Sequence, residues 1–141
     1  MANGNTAENY EAADIPERIE VINNTLVDNH YGITGGDFLL ALNNVIVGTK
    51  KIALKRVDGN SVLAFNLLWD NEIDNDGSNT EKKSTILKNP KFDSNHRLLS
   101  SSPCVDAGTS LYRRGKVVLL KIPRTSYAGN APDLGAFELA R

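Results

Sequence analysis

The sequence predicts an all-β chain wound as a short parallel β-solenoid of about three to five coils, and two observations predict it. The stretch "VINNTLVDN" at 21–29 returns as "ALNNVIVGT" at 41–49 and "LAFNLLWDN" at 63–71, which puts Asn24, Asn44 and Asn66 in one column, 20 and then 22 residues apart. Between the copies no useful stretch has the 3.6-residue period of a helix. Each copy instead offers two short β-prone runs, a polar turn and a weaker third run, "YGI", "KIAL" or "EI". A repeat of this length with three short strands and no helix makes one coil of a parallel solenoid, whose coils stack about 4.8 Å apart. Leucine-rich repeats share the period, but their L-x-x-L-x-L spacing is absent.

In chain order, residues 1–14, "MANGNTAENYEAAD", read as a flexible polar segment, and residues 15–141 as a single domain of a size that buries one core. Residues 15–83 carry the coils. Around the Asn column the chemistry repeats as Ile22/Leu42/Ala64, Leu26/Ile46/Leu68 and Val27/Val47/Trp69. The column is assigned the left-handed bend between two strands, since Asn visits that region readily. Its stacked amides are expected to bond as a ladder, with Leu26 facing the core. Asn23-Asn24-Thr25 is a glycosylation sequon, but that reading explains one copy and the ladder explains all three. Residues 84–141 form a terminal coil and cap. Within them Gly115-Lys116 is expected to turn "LYRR" back onto "VVLLKI" as a hairpin. So apolar a strand must be covered, either by lying over the open end of the solenoid or by pairing with a second chain.

A net charge of −1 with scattered Lys and Arg gives no basic stripe for nucleic acid. No apolar run reaches the ~20 residues of a membrane span, and the first residues lack the pattern of a signal peptide. Cys104 is the only cysteine, which excludes an internal disulfide and leaves the redox compartment undecided.

The tail reads "NPKF" at 89–92, Leu98-Leu99, "SPCVDAG" at 102–108 and finally "DLGAFE" at 133–138. It resembles the C-terminal end of right-handed parallel β-helix proteins of the pectate-lyase-like superfamily. Many members finish on N/D-P-x-F, a leucine-bearing strand, S-P-A-I-D-A-G and D-I-G-A-Y/F-E. Together with the coils the likeness covers roughly residues 19–138. It implies the right-handed solenoid and a secreted or cell-surface setting. It also implies that the terminal motifs are structural, with the catalytic groups of lyase and hydrolase members lying in coils further upstream. The chain thus looks like the last piece of a larger polysaccharide-active protein, or a minimal version of one. It departs from the pattern at Cys104, where the family has Ala, and in "SLYRRGKVVLLKIPRTSYAGN" between the two last motifs.

Several residues are candidates for chemistry. "DNEIDNDGSNTE" at 70–81 is the densest set of oxygen ligands; Glu72, Asp74 and Asp76 match the first half of a calcium loop, while Lys83 stands where its closing Glu belongs. An exposed turn accounts for the same residues. Tyr31 and Trp69 are the aromatics best placed to stack on a sugar ring, and Arg113 and Arg114 are candidates for an anionic sugar. Asp28 and Asp70, two coils apart and so ~9.6 Å from each other, would fall near the upper end of the ~5–9.5 Å that glycoside hydrolysis needs between its carboxylates, although solvated turn aspartates are common. His30 and His96 lack partners at metal-ligand spacing.

The reading that follows is a non-catalytic β-solenoid domain that binds carbohydrate or serves as a protein-interaction module. It self-associates through a solenoid end or edge strand, takes a polysaccharide ligand, and needs no cofactor except, as a candidate, calcium. A small polysaccharide lyase or glycoside hydrolase is the alternative that the resemblance supports.

Overall fold

A computed structural model describes residues 18–141. The segment expected to be flexible, 1–14, lies outside the described residues, as do residues 15–17 of the first coil.

Nine short strands make three coils of three strands each. They are β1 (Ile19–Ile22), β2 (Thr25–Val27) and β3 (Tyr31–Thr34); β4 (Leu39–Leu42), β5 (Val45–Val47) and β6 (Ile52–Lys55); and β7 (Val62–Ala64), β8 (Leu67–Trp69) and β9 (Ile73–Asp76). Equivalent strands pair in parallel into sheet A (β1-β4-β7), sheet B (β2-β5-β8) and sheet C (β3-β6-β9). The pairing register reproduces the sequence columns: Ile22 with Leu42 and Ala64, Leu26 with Ile46 and Leu68, Val27 with Val47 and Trp69. The parallel solenoid read from the repeat is the fold.

The asparagine ladder is present and the bend is one residue earlier. Asn44 Oδ1 accepts from the Asn24 backbone N–H at 2.9 Å, and Asn66 Oδ1 does the same for Asn44. Spare amide hydrogens go to carbonyls of sheet A: Asn44 Nδ2 to Val21 at 2.7 Å and Asn66 Nδ2 to Ala41 at 3.0 Å. The left-handed residues, however, are Asn23 (φ 53°), Asn43 (φ 60°) and Phe65 (φ 53°). The assignment of the bend to Asn24, Asn44 and Asn66 is therefore corrected. In "NN" either Asn suits the bend, and the bend residues also touch along the stack, Asn43 Nδ2 reaching Asn23 Oδ1 at 3.3 Å; only the Asn after the bend accepts a backbone N–H from the neighbouring coil. The second corner repeats the device with Asp28, Gly48 and Asp70 at φ 54–69°, and the third with Gly35, Arg56 and Gly77 at φ 52–72°.

The interior holds Ala41, Leu63, Ile46, Leu68, Ile33 and Leu54, with Val21 and Leu26 packed against them. Leu26 thus meets the core as expected. In sheet C the buried Leu54 is followed by Asn75 in the next coil, so the apolar column stops there. The chain makes a partial fourth turn, in which Thr80 bridges Leu63 and Ile86 bridges Leu67 in parallel.

From there the tail runs along the flanks of the solenoid. Strands β10 (Leu111–Arg114) and β11 (Val117–Lys121) form the expected antiparallel hairpin, with Gly115 in the left-handed turn at φ 61°. Its Tyr112, Leu119 and Leu120 cover the outer side chains of sheet A, Leu40, Leu42, Val62 and Ala64. Leu98, Cys104 and Leu134 cover Val45 and Leu67 on the outside of sheet B. The hairpin thus lies on the flank of sheet A rather than over the open end of the solenoid. An outer face of parallel sheet rich in Leu and Val must be buried, and the tail buries two of them.

The tail is latched to the coils by the bend asparagines. Asn43 Nδ2 donates to the Thr109 carbonyl and its Oδ1 accepts from the Thr109 N–H, both at 2.9 Å. Asn23 Nδ2 reaches the Asp133 carbonyl at 3.0 Å, so the acceptor amide of the sequon is engaged under the tail. Asp133, wholly buried, accepts from the backbone N–H of Asp106 at 2.7 Å and of Leu139 at 2.6 Å. The "DAG" and "DLGAFE" motifs therefore hold each other.

Candidate functional surface

The tail covers much of the outer faces of sheets A and B, though Ile19 and Trp69 at strand ends remain exposed, whereas none of the three apolar clusters extends onto the outer face of sheet C. Register aligns Tyr31, Ile52 and Ile73 in one row down this face. Tyr31 is 40% exposed and Ile73 is 46% exposed, with Ile52 half-buried between them. The Tyr31 ring is held by two neighbours: the Lys55 ammonium lies 5.1 Å from its centroid and the His30 ring meets it edge-on at 5.2 Å. A cation over an aromatic face and a perpendicular ring pair both favour a fixed orientation.

The residues singled out from sequence are not brought to one place. Tyr31 is on sheet C, and Trp69, 40% exposed, ends a strand of sheet B. Arg113 and Arg114 are on the hairpin over sheet A. Arg114 Nη1 donates to the Asn60 carbonyl at 2.9 Å, which ties the hairpin to the turn before β7, and Arg113 is exposed. Tyr112 stacks edge-on against Phe65 at 6.4 Å and serves the core.

Glu72 lies just before β9, and Asp74 and Asp76 lie on it. Asp74 Oδ1 accepts from Asn71 Nδ2 at 3.0 Å. Asn71 in turn satisfies the Thr49 backbone N–H, again as a rung between coils. Among the described residues no three His, Cys, Asp or Glu are grouped to hold a metal ion. Asp28 and Asp70 occupy left-handed corners, with the Asp28 carboxylate folded over Gly48, where a β-carbon would lie 2.2 Å from Oδ1. That accounts for the glycine between them. Cys104 is fully buried, and burial pushes its thiol up to about 11, which keeps it from acting as a nucleophile near neutral pH.

A groove of about 310 Å³ opens at the third-coil end, lined by Leu68, Asp74, Asn75, Thr80, Lys82, Thr85 and Leu87. It lies where sheet C stops and the partial fourth turn continues.

Sequence reasoning identified Tyr31 but not its row. The signal was available: "YGI", "KIAL" and "EI" are spaced by 21 residues, and Tyr31, Ile52 and Ile73 sit at that spacing. Only the covering of sheets A and B by the tail, which no local pattern reports, makes the row distinctive. Comparison with known protein families, characterised proteins and solved structures gives no match for this chain.

Proposed function

We propose that the chain is a non-catalytic β-solenoid binding domain that takes a polysaccharide on the outer face of sheet C. The observation that carries this reading is the exposed row Tyr31–Ile52–Ile73 on the sheet that the tail leaves bare. At about 4.8 Å per coil the row runs about 10 Å along the axis, a flat strip suited to an extended chain of sugar rings. Sugar rings have apolar faces that lie on aromatic and aliphatic side chains, while hydroxyls need polar neighbours. Here Thr34, Lys55 and Asp76, aligned in one register row of the same sheet, supply them. The resemblance of the tail to polysaccharide-active β-helix proteins supports the choice of ligand class.

Retention of the purified protein on insoluble or immobilised glycans tests the reading. Tyr31→Ala combined with Ile73→Ser is expected to lower the affinity of the best glycan by about tenfold or more, at unchanged melting temperature. If no glycan retains the protein, or if the double variant binds as well as the parent, the reading is wrong.

A further inference from the structure

Sheets A and B continue to a fourth rung and sheet C does not. Thr80 extends sheet A and Ile86 extends sheet B. The chain then leaves for the flank of sheet B, where Phe92 and Leu98 pack. Strand β9 is consequently the last of sheet C, hydrogen-bonded to β6 along one edge only. Against its other edge lies the groove, with Leu68, the last residue of the inner column Leu26/Ile46/Leu68, and Leu87, 60% exposed, on its walls. An open strand edge beside exposed apolar side chains is the geometry that accepts an added strand.

The charge beside this edge selects the occupant. Glu72, Asp74 and Asp76 alternate along it, with Lys82 lining the groove. The carboxylates of Glu72 and Asp76 have no partner among the described residues. A second copy presenting the same edge would set these carboxylates against their equivalents, and like charges directly opposite across strands are unfavourable. A strand carrying Lys or Arg faces them with the favourable sign.

We infer that the third-coil end binds an extended basic segment of a partner protein, which adds to β9 as a fourth strand of sheet C. Backbone groups of the segment pair with the free edge of β9. Its apolar side chains lie on Leu68 and Leu87, and its basic side chains face Asp74 and Asp76. This site shares β9, with Ile73 and Asp76, with the face that carries the Tyr31 row, but peptide and glycan binding are read by separate assays, so each proposal can fail without the other.

Fluorescence anisotropy with a labelled octapeptide alternating Lys and Val tests the inference, with a Glu-Val octapeptide and a Lys-Val peptide N-methylated at alternate residues as controls. The Lys-Val peptide is expected to bind, and both controls to bind about tenfold more weakly or not at all. Asp74→Lys with Asp76→Lys is expected to reverse the preference between Lys and Glu peptides. Asp76→Asn, a milder change at an exposed position, is expected to weaken binding of the Lys-Val peptide if the reversal variant does not fold. Equal binding of the N-methylated peptide would mean charge attraction without strand addition and would overturn the inference, as would no binding of any peptide. Sedimentation showing a dimer that Asp76→Lys dissolves would give the edge to a second copy and overturn it too.

Discussion

Asn44 donates its side-chain Nδ2 to Asn66 Oδ1 at 3.0 Å, and its own backbone N–H goes to the same oxygen at 2.9 Å. One carboxamide thus satisfies two donors of the coil above it, and both residues are fully buried. Replacing Asn44 with Leu strands the Asn24 N–H that its Oδ1 serves, and leaves Asn66 Oδ1 with one donor fewer. Each loss of a partner for a buried polar group costs about 1–3 kcal/mol. Asn44→Leu is therefore expected to lower stability by about 1–3 kcal/mol, and Asn24→Leu by clearly less, because Asn24 ends the ladder and is exposed. Urea unfolding of the two variants measures the difference, and equal losses would deny the ladder its role.

The same ladder explains what was legible in the sequence. Register in a solenoid forces chemically matched residues onto one column, so Asn24, Asn44 and Asn66 reveal the coil length directly. Which residue bends was not legible from "NN" in the first two copies. The third copy, Phe65-Asn66, places Phe at the left-handed corner, where residue preference alone would not put it. There the corner is held by context: the Phe65 N–H donates to Ser84 Oγ at 3.0 Å and the ring packs on Tyr112. The course of the tail was equally hidden, since its latches join residues as far apart as Asn23 and Asp133. The candidate surface inherits that limit, because sheet C is recognisable as the bare sheet only once the tail has covered the other two.

Gly32 in β3 stands where a side chain has no room. A β-carbon there would lie 2.2 Å from the carbonyl oxygen of Ala53 in the coil next to it, and 3.0 Å from a methyl of Ile46. The first obstacle is backbone, which cannot rotate away. Gly32→Ala is expected to cost about 2–4 kcal/mol by forcing β3 from β6. Gly115→Ala, with nothing within 4 Å but a left-handed φ of 61°, should cost only about 1 kcal/mol. Thermal unfolding that ranks the two the other way would contradict the packing of β3 on β6.

The tail depends on Asp133. Its carboxylate is wholly buried, takes the backbone N–H groups of Asp106 and Leu139, and lies 3.6 Å from the Arg141 guanidinium. Asp133→Ala leaves two part-buried donors without their acceptor and is expected to lower stability by about 2–4 kcal/mol. Since the tail shields the outer faces of sheets A and B, the variant should also bind a hydrophobic dye and lose protease resistance first beyond residue 100. Proteolysis starting instead within the coils would show that the latch does not hold the tail.

Cys104 makes stability depend on pH at the alkaline end. Burial among apolar side chains, with the Asp133 charge acting in the same direction, holds the folded thiol up at about 11. In the unfolded chain it titrates near 8.5. Between these values the unfolded state gives up its proton while the folded state keeps it, so the unfolded state is favoured as pH rises. The contribution is fully present below about pH 8.5 and declines toward pH 11, by about 1.4 kcal/mol per pH unit and about 3 kcal/mol in all. Cys104→Ala removes this slope while keeping every other titrating group. The difference in unfolding free energy between parent and variant, followed from pH 8 to pH 11, should therefore fall steadily; a constant difference would mean that the thiol titrates alike in both states.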